Sequence, residues 1–139
     1  MANYQNSPSD YAKAIQAQLA SIVSPVPVYA NFNRNWATEP KFLTWQLRNI
    51  HQPVYTGQTQ GNKGIDRPVF QINVFAREEA DVFNLSNTVL QSLHGYSGQF
   101  GGVTGFFVAK ADVVWLYNTY DDSIRLQQIM MDCTLDIPN

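Results

Sequence analysis

Apolar and polar positions alternate from Pro68 to Ala76, with Phe70, Ile72, Val74 and Ala76 on one side. Period two marks a half-buried strand, because successive side chains point to opposite faces of the pleat. The period then changes at once. Val82, Leu85, Val89 and Leu93 recur at spacings of three and four, with Phe83 and Leu90 beside them, which predicts a helix from Glu78 to Leu93. Its first turn carries Glu78, Glu79 and Asp81, where the helix dipole favours negative charge. Gly95, just beyond His94, suits the left-handed position that ends such a helix. Alternation returns from Phe106 to Tyr117, a turn is expected at Tyr120-Asp121-Asp122-Ser123, and alternation resumes to Ile137. Between helix and hairpin, Gly98, Gly101, Gly102 and Gly105 predict a loose connection.

Upstream, Tyr11, Ala12, Ile15, Leu19 and Ile22 form a helical stripe, with Lys13, Gln16 and Gln18 on the other side. Ser9 or Asp10 is the expected cap, after Pro8, and Ser24-Pro25 ends the helix. Val26–Tyr29 predicts a short strand at a sheet edge, where proline is tolerated. A polar connection from Asn31 to Pro40 carries Arg34 and Trp36. Phe42 to Asn49 predicts a strand with Leu43, Trp45 and Leu47 inward and Thr44, Gln46 and Arg48 outward. From Ile50 to Asp66 the pattern stops. His51-Gln52-Pro53 is expected to break the strand, and Gly57 to Gly64 has nothing to bury, so 50–66 is expected to be a flexible arm that orders against a neighbour. The order is α-β-β-β-α-β-β: an α+β domain over residues 1–139, with two helices on one face of a small, mostly antiparallel, twisted sheet.

Composition changes the picture in one respect. Charged residues are only 14% of the 139, against about 25% in ordinary soluble domains. Asn and Gln together outnumber the 9 Lys and Arg and the 11 Asp and Glu combined. Amides are desolvated at a contact more cheaply than ions, so this surface suits coverage by other subunits. A net charge of −2 argues against a binder held on nucleic acid by phosphate contacts. The single Cys133 falls in the alternating set Ile129, Met131, Cys133, Leu135, Ile137 and is expected to be a buried small apolar residue. The start of the chain has no basic and apolar run of a secretory signal, and no segment approaches the ~18 apolar residues of a membrane helix.

Reactive constellations fail one by one. Gly95-Tyr96-Ser97-Gly98-Gln99 lacks the last glycine of a nucleophile elbow and follows a helix where that motif needs a strand. Gly57 to Gly64 contains Lys63 but no Ser or Thr after it, so it is no phosphate loop. His51, His94 and Cys133 lack metal-ligand spacing. Asp121 and Asp122 are turn residues, and Asp112, Asp132 and Asp136 fall on the solvated face of the hairpin. No catalytic residue, cofactor site or metal site is expected.

The run Ile65-Asp66-Arg67-Pro68-Val69-Phe70-Gln71-Ile72-Asn73-Val74-Phe75-Ala76, followed by the Glu78-Glu79-Ala80 helix ending at Leu93-His94-Gly95, resembles the tail-completion (tail terminator) proteins of long-tailed phages. The closing Tyr120-Asp121-Asp122-Ser123-Ile124-Arg125 and the first helix with Val28-Tyr29 fit the same family. The resemblance departs at Asn31–Pro40 and in the length of the 51–66 loop. It implies a virion protein forming a ring of six copies on the last ring of the tail tube. There it stops tube growth and meets the head-side connector, while DNA passes the channel without specific binding. A ring needs two different patches that meet by rotation. The candidate contacts are Tyr55, Gln58, Gln60, Asn62, Lys63 and Arg67, with Arg34 and Trp36; the Val26–Tyr29 edge or the outer strand of the final hairpin could add strand pairing. The rival readings are a stopper or adaptor ring of the head–tail connector, and a small-ligand or enzymatic module on a similar sheet.

Overall fold

A computed structural model describes residues 6–55 and 64–138. In chain order the elements are α1 (Pro8–Val23), β1 (Val28–Ala30), β2 (Lys41–Tyr55), β3 (Gly64–Ala76), α2 (Glu79–Leu93), β4 (Gly98–Phe100), β5 (Phe106–Val108), β6 (Lys110–Asp121) and β7 (Leu126–Pro138). Five strands form one sheet in the order β1-β2-β3-β7-β6, while β4 and β5 make a separate two-stranded hairpin. Only β1 runs parallel to its neighbour; the other pairings in the sheet are antiparallel. The expected α+β order holds, with the β4–β5 hairpin added between α2 and the final pair.

The core forms where the two periodicities meet. Phe70, Ile72, Val74 and Ala76 of β3 and Ile129, Met131, Cys133, Leu135 and Ile137 of β7 are buried, and Val82, Leu85, Val89 and Leu93 of α2 are buried in the same cluster. From α1 come Tyr11, Ala14, Ile15, Leu19 and Val23, so the stripe is rotated from the expected one; Ala12 and Ile22 sit at its margin. Phe83 is exposed, outside the α2 stripe.

The structure corrects several boundaries. Ser7 caps α1: its Oγ accepts from the Asp10 N–H at 3.2 Å, and Asp10 Oδ2 accepts from the Ser7 N–H at 2.8 Å. This reciprocal capping box holds the Asp10 carboxyl below its usual range, the Ser7 backbone N–H contributing most and the Ser7 side chain next. Pro53 does not break β2, which continues to Tyr55; register shifts after Leu47 and after His51 absorb the irregularity. Most of the 50–66 stretch is therefore strand at either end, and 56–63 lies outside the described residues. The glycine connection is not loose. Phe100 and Val108 are fully buried, and β4–β5 closes one end of the core with Phe106 stacked on Phe100 at 6.1 Å. The last turn also falls later, at 122–125, where Arg125 takes φ 55°.

Cys133 lies opposite Phe70 on one side and Val113 on the other. Burial pushes its thiol up to about 12, with Asp112 and Asp132 adding to the effect. The unfolded chain releases this proton near the ordinary thiol value while the folded chain keeps it. Stability present below pH ~9 is therefore lost as pH climbs toward ~12, with a limiting slope of about 1.4 kcal/mol per pH unit. Urea midpoints of the parent chain and Cys133→Ala, compared at about pH 8 and about pH 10, should show a steeper alkaline loss in the parent. Equal losses would contradict it.

Candidate assembly surfaces

An open sheet has two edges, and here they differ. On β1, strand geometry turns the C=O groups of Val28 and Ala30 away from β2. Val28 O accepts from Gln16 Nε2 at 3.0 Å, and Ala30 O accepts from the Phe32 N–H at 2.7 Å. The same Gln16 amide accepts from Trp45 Nε1 at 2.6 Å, so it ties α1 to both β1 and β2. Proline at 25 and 27 blunts the approach further. Both outward carbonyls of the β1 edge are already bonded.

The β6 edge begins covered and then opens. Ala111 bonds to Tyr96 O and to the Gly95 N–H, and the Val113 N–H donates to His94 Nδ1 at 3.0 Å. Beyond Val113 no described segment hydrogen-bonds to this edge. Val114, Trp115, Leu116 and Tyr117 are exposed in a row, at 50%, 41%, 40% and 44%, and Tyr120 follows at 46%. A register shift between Trp115 and Tyr117 breaks the alternation, so apolar side chains leave the strand on both faces. A long apolar edge is the feature soluble monomers avoid.

The face of the sheet opposite the helices is polar along most of its length. Gln46, Gln71, Asn73 and Gln128 form an amide ladder across β2, β3 and β7. Two cations on this side are neutralised: Arg48 pairs with Asp132 at 2.7 Å and Arg67 with Asp136 at 2.6 Å. Those two aspartates are thus ion-paired, not simply solvated.

At one end the same face turns apolar. The 31–36 segment folds over it and leaves a cleft of about 220 Å³ lined by Phe32, Trp36, Phe42, Phe75, Ile124 and Leu126, among others. This explains why Phe42 and Thr44, outward by the strand pattern, are buried. Arg77 holds the cleft together. Its Nη1 donates to Ile124 O at 2.7 Å and its Nη2 to Trp36 O, joining the 31–36 segment to the β6–β7 turn. Tyr29 donates to Glu39 on the adjoining segment, and that bond raises the tyrosine's pKa.

The expected contact residues separate into two groups. Arg34 and Trp36 lie together beside the cleft; Arg34 is exposed and Trp36 half-buried. Arg67 lies toward the other end of β3, ten residues from Arg77 and so roughly 30 Å away at ~3.3 Å per residue, in its pair with Asp136. Tyr55 ends β2, and Gln58, Gln60, Asn62 and Lys63 lie outside the described residues. Sequence reasoning offers the outer strand of the final hairpin, β6, as an edge, but does not single out its run Val113-Val114-Trp115-Leu116-Tyr117, five apolar residues in succession.

The groups weighed for chemistry are dispersed. His94 Nδ1 accepts from Val113, so its 3.7 Å approach to Asp112 involves the neutral ring's acceptor nitrogen and is no ion pair in that form. Asp121 accepts from Ser123 Oγ at 2.7 Å and from the Ser123 N–H at 3.0 Å; these bonds hold its carboxyl below the usual range. Among the described residues no three His, Cys, Asp or Glu side chains cluster as metal ligands, and no helix is long and apolar enough to cross a membrane.

No protein-family model matches the chain, and no curated protein matches it in sequence. Solved structures do match in fold. A chain from the virion of a native gene transfer agent particle is similar at TM-score 0.56 and 14% identity, over 94% of this chain and 92% of that one. The sheath/tube terminator of an extracellular contractile injection system, in its extended state, is similar at TM-score 0.58 and 12% identity. That match covers 98% of this chain, which spans 58% of the terminator's length. A third solved structure matches at TM-score 0.61 and 15% identity over 94% of this chain and 95% of that one. The chain therefore shares the fold found in these particles.

Proposed function

We propose that the chain is a structural part of a phage-type tail. Copies form a ring, six by the family resemblance, at the head-proximal end of the tail tube, where the ring terminates the tube and joins it to the head-side connector. The observation that carries this reading is the fold likeness to a sheath/tube terminator over nearly the whole chain. The open apolar edge of β6, which a lone copy leaves in water, supports it. The ring's partners are further copies of itself, the tube protein and the connector. DNA passes its channel without specific binding; the low basic count and the two internally paired arginines leave little to hold phosphates. The reading assigns no catalytic step to any residue.

Image averaging of particles that carry a label on this chain tests the proposal. The label is expected at the head–tail junction with six-fold symmetry. Label along the tube or on the capsid, or a two-fold or single-copy density at the junction, would overturn it.

A further inference from the structure

We propose that the outer edge of β6, from Val114 to Tyr120, docks into the cleft beneath the 31–36 segment of a second copy of this chain. The choice of a second copy rests on the ring reading above; the two surfaces rest on the structure itself. Val114, Trp115, Leu116, Tyr117 and Tyr120 are each 40% to 50% exposed. With aromatic side chains presenting 150–250 Å² each, the patch amounts to on the order of 400–500 Å². That is half or somewhat more of the ~800 Å² each partner buries in a standard stable interface, before any rim is added.

The acceptor is chosen by elimination and fit. The opposite sheet edge offers fewer free groups, because both outward carbonyls of β1 are already bonded. The cleft is open and apolar, at about 220 Å³, and an apolar cavity of ~150 Å³ suffices for a benzene ring. An indole or phenol ring therefore has room. The chain's own Trp115 cannot fill it. Trp115 lies opposite Met131, five residues along β7 from Leu126 at the cleft, roughly 16 Å away at ~3.3 Å per residue. Patch and cleft are different surfaces, so the contact is heterologous; it propagates from copy to copy and closes if the rotation permits.

Cysteine cross-linking of the purified chain at high concentration tests the contact. The native Cys133 is fully buried and does not compete. Leu116→Cys and Phe32→Cys replace exposed residues, and circular dichroism checks that each variant folds. On mild oxidation, neither variant alone should form a disulfide-linked dimer, their mixture should, and the double variant should give a ladder of larger species. Adding Trp115→Glu to the Leu116→Cys chain should abolish the mixed dimer. A dimer from Leu116→Cys alone would show β6 pairing with β6 about a two-fold axis and overturn the proposal; so would a folded mixture that gives no dimer. The outcomes separate the two readings. Six-fold density at the junction with β6 self-pairing would retain the terminator and discard this contact. The mixed dimer without that density would retain the contact and discard the terminator.

Discussion

A phage or phage-like particle deprived of this chain should fill its heads and build tails, yet join few of them, and many of the free tails should be overlong. A tube grows by stacking one ring on the last through a contact between unlike faces, and such a contact has no internal stop. A terminator ends it by offering one face that matches the tube and another that does not. The present fold can make unlike faces, because its helices cover one side of the sheet and an amide ladder lies on the other. The measurement is electron microscopy of lysates from a particle lacking the chain, with tail lengths counted and a complementing copy as control. Tails of normal length joined to heads would remove the terminator reading. Normal-length tails left unjoined would place the chain in the connector, as a stopper or adaptor, since length control would then lie elsewhere.

How much of this was legible in the chain depended on whether a segment's environment was set locally. The β3, α2 and β7 segments show one clean apolar period because each packs one face on a single core, and their buried sets match the expected ones. Ser7 was missed because Ser7-Pro8-Ser9-Asp10 offers three capping side chains, and only the bond from the Asp10 N–H to Ser7 distinguishes them. The end of β2 was misread because Gln52 and Pro53 interrupt the alternation, while a register shift lets the ladder resume at Val54. The cleft was invisible because nothing local in Phe42 or Thr44 says that a distant loop, held by Arg77, covers the polar face. At the β6 edge the signal was present. Five consecutive apolar residues fit neither a half-buried strand nor a turn, and they become intelligible once the strand is placed at an open edge.

Gly101→Val should destabilise the chain by about 2–5 kcal/mol, the sum of a strained backbone and an overfilled contact. Gly101 has φ +85°, a conformation L side chains rarely adopt, and a Cβ there would stand 2.7 Å from both Cα and Cβ of Ala14. Ala14 belongs to the α1 backbone, which cannot swing aside as a flexible side-chain end can. The Gly101 N–H also donates to Gln18 Oε1 at 3.0 Å, so moving the loop forfeits that bond as well. The loss acts on the β4–β5 hairpin that buries Phe100 and Val108. Its neighbour Gly102 supplies the control: φ is +79°, but a Cβ there meets nothing within 4 Å. Gly102→Ala should therefore cost only the conformational part, about 1–2 kcal/mol. Urea denaturation of the parent and both variants gives the comparison. If Gly101→Val and Gly102→Ala prove equally costly, the close approach of the hairpin to α1 is wrong and the glycines serve only the turn.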